Sequence, residues 1–136
     1  MTHEFWWQSV EIIQVVSTDQ FLKFAELTND DAPHHIDTSV AQSMGYQDCI
    51  GQGLFVLSIT GEASSKYLEL INKNGVTYGY EKLRFPAPVY SGDSLTITYE
   101  PESISEKNVL SSKITVKKSS GEVALAGTHL LKILEW

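Results

Sequence analysis

Cysteine is almost missing from this sequence, whose 136 residues include only Cys49. A single thiol forms no disulfide within the chain and supplies neither a cysteine-based zinc site nor an iron–sulfur cluster. We therefore expect no metal and no other cofactor, and we expect the reducing environment of the cytoplasm. At this length a folded chain buries roughly two-thirds of the surface of its unfolded form, so a core forms without covalent cross-links.

Basic residues are also scarce. The sequence has 10 Lys and Arg against 17 Asp and Glu, which gives a net charge of −7. Nucleic acid and anionic membrane surfaces would be repelled, so neither is an expected partner. The first nine residues lack the pattern of a signal peptide, and no window approaches the roughly 18 apolar residues of a membrane span.

Linker-like stretches are missing as well. No part of the sequence is rich in Pro, Gly or Ser over the length of a linker, and no period of about 20 to 50 residues recurs. Residues 1–136 are therefore expected to form one domain.

The first half of the sequence alternates between strand and helix patterns. The run from Val10 to Val16 is β-branched and apolar on both faces, which predicts a buried strand. Apolar spacing predicts an amphipathic helix from Asp19 to Leu27 and a short helix from Thr38 to Met44. From Gly53 to Ile71 it predicts one long buried helix of about 19 residues, roughly 28 Å in length. The segment from Asn29 to Asp37 is expected to be a loop.

The second half changes to the period of strands. Four segments alternate between apolar and polar residues or are β-branched, and turn-forming residues separate them. They predict four antiparallel strands in series, within residues 76–85, 94–100, 108–116 and 122–134. The predicted fold class is α+β, with the long helix wrapped by a curved antiparallel sheet.

Histidine marks the segment with the most chemistry. Of four histidines, His129 lies in the last predicted strand, where a core or surface position is the simpler interpretation, and His3 lies at the terminus. His34 and His35 follow Asp30 and nearby acids in the sequence DDAPHHID. Such a loop aims two titratable side chains at one point, although solvated acidic loops have the same composition.

Three blocks of the sequence resemble the MaoC-like family, the (R)-specific enoyl-CoA hydratases. The string FAELTNDDAPHHID, Phe24 to Asp37, is similar to the hydratase motif, approximately F-A-x-L-S-x-D-x-N-P-x-H-x-D. IGQGLFVLS, Ile50 to Ser58, resembles the start of the family's central helix. RFPAPVYSGDSLTI, Arg84 to Ile97, resembles its second conserved block. The resemblance covers most of the chain.

The resemblance implies a hot-dog fold and a homodimer with a continuous sheet. It implies reversible hydration of a trans-2-enoyl thioester, carried by coenzyme A or acyl-carrier protein. By position, Asp30 is the catalytic aspartate and His35 the catalytic histidine, while the Gly53 backbone N–H holds the thioester carbonyl oxygen. Gln52 stands where the family has His, and it is expected to help bind substrate as a hydrogen-bond donor. Ala32 replaces the Asn of the motif.

These roles agree with the chemistry of hydration. Adding water to an enoyl thioester requires a group that deprotonates water, a proton for the α-carbon and a donor for the enolate oxygen. The carboxylate of Asp30 and the imidazole of His35 suit the proton transfers. An amide at the start of a helix, at Gly53, suits the negative oxygen.

Two other functions remain open from the sequence. A hot-dog thioesterase would use a carboxylate from the central helix, where Glu62 is the only acid near the middle. A non-catalytic acyl-thioester-binding subunit would explain the changes at Ala32 and Gln52.

Lys82 and Arg84 are candidate phosphate contacts or plain surface cations. The aromatic residues that would line an acyl tunnel or fill the core are Trp6, Trp7, Phe55 and Tyr67.

Overall fold

The computed structural model describes residues 4–134. Within them a 3-10 turn, Glu4–Trp7, precedes five strands and five α-helices. The strands are β1 Val10–Val15, β2 Asn74–Arg84, β3 Ser94–Ile104, β4 Val109–Lys118 and β5 Val123–Leu134. The helices are α1 Thr18–Thr28, α2 Pro33–Ile36, α3 Thr38–Ser43, α4 Gly53–Ile59 and α5 Gly61–Ile71.

The strands form one antiparallel sheet in the order β1-β3-β4-β5-β2. All four strands predicted in the second half are present, and β3, β4 and β5 pair in series. The prediction was wrong for β2, which pairs with β5 at the far edge instead of with β3. Pro86 and Pro88 follow β2, and two residues without an N–H exclude a tight hairpin to β3.

Strand β1 is covered on one face only. The prediction of burial on both faces was wrong, because Ile13 and Val15 are 66% and 65% exposed while their neighbours along the strand are half-buried. β1 is an edge strand that pairs with β3, and among the described residues none covers the face that carries Ile13 and Val15.

Helix α1 confirms the prediction for residues 19–27. Ser17 and Gln20 form a capping box, in which each side chain bonds to the backbone N–H of the other residue. The helix ends where Asn29 adopts the left-handed conformation, with φ at 61°.

The predicted long helix is interrupted at Thr60, between α4 and α5. The hydroxyl of Thr60 donates to the carbonyl of Leu57 at 2.7 Å, and its backbone N–H bonds to the same carbonyl three residues back. This tighter turn and the low helix propensity of Gly61 separate the two helices.

The core lies between α5 and the sheet. Ala63 and Tyr67 on α5 are fully buried, and they belong to one apolar cluster with the inward-facing residues of the strands, among them Leu95, Ile97 and Tyr99. Register shifts in β2, β3 and β5 provide the bulges that bend such a sheet. The α+β hot-dog architecture is therefore confirmed. No helix in residues 4–134 is long and apolar enough to cross a membrane.

His129 is a buried core histidine, only 2% exposed. Its Nδ1 lies 2.8 Å from the Tyr99 hydroxyl and its Nε2 lies 3.0 Å from the Thr77 hydroxyl. Burial lowers the pKa of His129 to about 4. The ring is therefore neutral at neutral pH, and its hydrogen bonds are satisfied inside the sheet.

This histidine makes the fold sensitive to acid. Below its ordinary pKa of 6.5 the unfolded chain binds a proton at His129, whereas the folded chain does so only near pH 4. The free energy of unfolding should therefore fall by about 2 kcal/mol between pH 7 and pH 5 from this residue alone. In His129→Gln the amide offers both an acceptor and a donor but does not titrate, so urea unfolding should show that much less acid sensitivity. Equal pH dependence in both proteins would contradict the assignment.

Candidate active site

The end of α1 places Asp30. Asn29 adopts the left-handed conformation, so the chain turns sharply after the helix. The backbone N–H of Asn29 donates to the carbonyl of Ala25 at 2.8 Å. The hydroxyl of Thr28 then accepts the N–H of Asp30 at 3.2 Å. Asp30 is half-buried, while the adjacent Asp31 is exposed.

The predicted loop 29–37 contains a single helical turn, α2. Pro33 occupies its first position, which suits a residue with fixed φ and no N–H. Ala32 is the N-cap residue and provides no side-chain cap. The Asn of the family motif would stand at this position, where asparagine is a favoured cap. The turn buries His35, which is 8% exposed.

The ring of His35 has a fixed tautomer. Its Nδ1 lies 2.8 Å from the carbonyl oxygen of Ile50, and a carbonyl only accepts, so Nδ1 carries the hydrogen. Nε2 is left as the basic nitrogen. A second hydrogen bond joins α2 to Ile50, because the Ile50 N–H donates to the His34 carbonyl at 3.1 Å.

Gln52 lies behind this segment and has no exposed surface. Its Nε2 donates to the carbonyl of Phe21 at 2.9 Å and to that of Asp30 at 3.3 Å. The expectation that Gln52 contacts substrate does not agree with this position, because both amide hydrogens are used on the backbone. The side chain connects the Asp30 segment to the start of α4.

A cleft of about 230 Å³ opens beside the start of α4. Gly53 is the first residue of this helix, and Gln52 gives it no side-chain cap, so the amides of the first turn lack that partner. A Cβ on Gly53 would lie 3.4 Å from the ring of Phe85. The cleft is lined by His35, Tyr46, Ile50, Gly51, Gly53, Val56, Phe85, Pro86, Ala87, Pro88, Val89 and Ala124.

The cleft brings together two of the predicted site residues, His35 and Gly53. Asp30 is not among the described residues that line it, although the charge of its carboxylate acts on His34, the neighbour of His35. The rings of His34 and His35 are 4.0 Å apart between centroids. Burial and then the neighbouring His35 lower the pKa of His34, and the charge of Asp30 opposes them.

The wall formed by residues 85–89 was not foreseen as part of the site. The N–H of Gly51 donates to the Val89 carbonyl at 2.8 Å, which fixes the wall to the helix start. Lys118 donates to the Pro88 carbonyl at 2.9 Å and pairs with Asp93 at 3.2 Å. The signal in the sequence was the second resembling block, whose two prolines rule out a regular strand there.

Asp37, the last residue of the motif, has a structural role. Its carboxylate accepts the N–H groups of Ser39 and Val40 and the Ser39 hydroxyl, so it is the N-cap of α3. These hydrogen bonds lower the pKa of Asp37. In the sequence, the signal for such a cap is an aspartate directly before the predicted start of a helix at Thr38.

The residues of the alternative functions lie away from the cleft lining. Glu62 is exposed in the first turn of α5. Lys82 and Arg84 are exposed near the end of β2. Phe55 and Tyr67 belong to the core, Trp6 packs against it, and Trp7 is 47% exposed.

His3 lies outside the described residues. Within them, no group of three or more His, Cys, Asp and Glu is placed to hold a metal ion.

Known proteins resemble the chain in sequence and in fold. A family model described as a MaoC-like domain matches residues 8–124. A UPF0336 protein of Streptomyces coelicolor is 31% identical over 124 residues, which are 85% of this chain and 83% of that protein. A mitochondrial 3-hydroxyacyl-(acyl-carrier-protein) dehydratase of Solanum lycopersicum, FERN, is 30% identical over 112 residues, which are 80% of this chain and 65% of that protein.

A solved structure supports the same assignment at the level of the fold. The (R)-hydratase of A. caviae superposes with a TM-score of 0.83 at 23% identity, covering 93% of this chain and 95% of that one. The family model spans most of the sequence, including the segment that holds Asp30, His35 and Gly53. The chain therefore belongs to the MaoC-like domain family.

Proposed function

We propose that this protein catalyses the reversible addition of water to a trans-2-enoyl thioester, giving an (R)-3-hydroxyacyl thioester. The observation that carries the proposal is the shared cleft of His35 and Gly53, in which Nε2 of the imidazole is the free basic nitrogen. Neither metal nor other cofactor is needed for this reaction. The carrier of the acyl group is coenzyme A or acyl-carrier protein.

The proton transfers fall to His35 and Asp30. As the oxygen of water bonds to C3 of the enoyl group, one O–H bond of that water breaks and its proton passes to one member of the pair, the imidazole of His35 or the carboxylate of Asp30. The electrons of the double bond move toward the thioester carbonyl, and C2 then receives a proton from the same pair. An imidazole with one fixed hydrogen and one free nitrogen suits a group that accepts and returns a proton near neutral pH.

The charge that develops on the thioester oxygen is assigned to the start of α4. The amide of Gly53 belongs to the uncapped first turn, where backbone dipoles give partial positive charge. A preorganised donor of this kind stabilises an enolate more than the uncharged carbonyl, which is the condition for catalysis.

The thioesterase and the non-catalytic alternatives have less support. A hydrolytic carboxylate would have to come from the middle of a central helix, whereas Glu62 is exposed in the first turn of α5. A non-catalytic subunit has no need of both Asp30 and His35, which are each held by hydrogen bonds to their backbone or ring.

We also propose that the protein is a cytoplasmic, single-domain homodimer that pairs through β2. This strand has eleven residues, occupies an edge of the sheet and exposes apolar side chains, among them Val76 and Tyr78 at 53% and 69%. A long apolar edge is prone to pair with another strand, and a second β2 would extend the sheet across both copies.

Replacing either proton-transfer residue should abolish most of the activity. Asp30→Asn and His35→Ala should each slow hydration by at least about 100-fold, because general acid–base groups typically contribute that much. The matched controls Asp31→Asn and His34→Ala should cost much less. Loss of the enoyl-thioester absorbance of crotonyl-CoA measures hydration, and an assay for free thiol run beside it detects hydrolysis. Thiol release by the parent protein would favour the thioesterase.

Gly53→Val should block the site. The amide remains, but a branched side chain would enter the space between Gly53 and Phe85, where a Cβ is already in contact with the ring. We expect the hydration rate to fall by about 100-fold or more, as for loss of an oxyanion donor. Circular dichroism and thermal melting check the fold. A folded variant with the parent rate would mean that the thioester does not cross the start of α4.

Sedimentation should show a dimer of this 15.2 kDa chain at micromolar concentration. Val76→Lys should weaken it by about 10-fold or more, because two like charges would meet across the paired edge. Val15→Lys is the matched control, since Val15 is an exposed valine on the opposite edge strand, β1. A monomeric parent, or dissociation by Val15→Lys alone, would contradict the β2 interface.

A further inference from the structure

Gln52 has a buried carboxamide whose orientation is fixed. Its two amide hydrogens face the carbonyl oxygens of Phe21 and Asp30, which only accept hydrogen bonds. Its Oε1 therefore points the other way. That oxygen is buried and has no hydrogen-bond partner in the described part of the chain.

A buried carboxamide requires hydrogen-bond partners, and an apolar side chain of similar length would not. The polar side chain is explained by what its NH₂ group holds. Without it, the carbonyl of Asp30 would lose this donor and the turn after α1 would lose its connection to α4.

The position of Gln52 in the chain makes the connection specific. It is the residue directly before Gly53, at the N-cap of α4, and it reaches 22 residues back to Asp30. It also reaches Phe21 within α1, so the turn is held from a rigid helix. The side chain of Gln52 thus fixes the Asp30 segment, which carries the proposed carboxylate, relative to Gly53, whose amide is the proposed donor to the enolate.

We propose that Gln52 is a positioning residue, whose carboxamide sets the Asp30 segment relative to the amide of Gly53 without contacting the substrate. This inference rests on the proposed hydration. Because the side chain is behind the cleft, its loss should change the rate of the chemical step more than substrate affinity. Displacing a catalytic group by about 1 Å can cost about 100-fold in rate.

The first test compares Gln52→Met with the parent on crotonyl-CoA. We expect kcat to fall by about 10-fold to 100-fold while KM changes less than about 3-fold. Gln47→Met is the matched control, because Gln47 is an exposed glutamine five residues earlier, and its rate should equal the parent's. A folded Gln52→Met protein with the parent kcat, or with a defect only in KM, would overturn the inference.

Gln52→Glu separates positioning from simple packing. A protonated carboxyl keeps one donor for the Asp30 carbonyl, whereas an ionised one has none and repels the Asp30 carboxylate. The rate relative to the parent should therefore rise as the pH falls. The ionisable groups of the neighbouring segments, Asp30, His34 and His35, are present in both proteins, so the ratio isolates what the carboxyl at position 52 adds, including its effect on these neighbours. A ratio that does not change with pH would count against positioning, and Gln47→Glu should give such a flat ratio.

A measurement without substrate keeps this inference separate from the proposed function. The charge of Asp30 raises the pKa of His34, so moving the Asp30 segment should lower it. NMR titration of His34 should show a lower pKa in Gln52→Met, in the same direction as in Asp30→Asn. An unchanged His34 pKa overturns the positioning role. If the parent fails to hydrate crotonyl-CoA but the shift is present, the proposed reaction fails and the positioning role stands.

Discussion

The candidate site depends on how residues 50–52 are held. Within this short stretch, Ile50 bonds to the His35 ring and to the His34 backbone, Gly51 bonds to Val89, and Gln52 bonds to Phe21 and Asp30. Two parts of the cleft wall, His35 and the segment that ends at Val89, are therefore attached to the stretch that leads directly into α4. Two of these five bonds join backbone groups, and the other three need the side chains of His35 and Gln52 to be ordered, which burial of both side chains favours.

Close packing at the same stretch leaves little freedom. A Cβ on Gly51 would lie 3.0 Å from the ring of Phe21, which is tighter than ordinary contact. The same Phe21 meets Phe55 edge to face, with centroids 5.5 Å apart. The start of α4 is thus fixed against α1 by packing as well as by hydrogen bonds, and α5 continues from α4 into the core against the sheet. The cleft takes its rigidity from the same contacts that make the core.

Local sequence patterns predict most of the helices and strands, whereas contacts between segments far apart in the sequence are not predictable from such patterns. Helix α1 was readable because Ser17, Gln20 and the apolar spacing agree within one segment. The place of β2 at the far edge was not readable, since pairing with β5 is decided by a connection across the whole sheet. Likewise the motif gave Asp30 and His35, but nothing local indicates that Gln52 would bond to carbonyls 31 and 22 residues away. A glutamine after a glycine has no pattern that distinguishes a buried donor from an exposed one.

The two departures from the family motif act on the same structural problem. Ala32 leaves α2 without a side-chain cap, so the orientation of this single turn has to come from elsewhere. Pro33 fixes the backbone at the first residue of α2, and the hydrogen bond from the His35 ring to the Ile50 carbonyl holds the end of the turn. Gln52 adds a donor to Asp30, just before the uncapped turn. In this chain α2 has no side-chain cap, and contacts to residues 50–52 hold the segment that contains it. The two substitutions should therefore be tested together, because restoring Asn at position 32 would reduce the dependence of Asp30 and His35 on Gln52 only if both side chains hold the same segment.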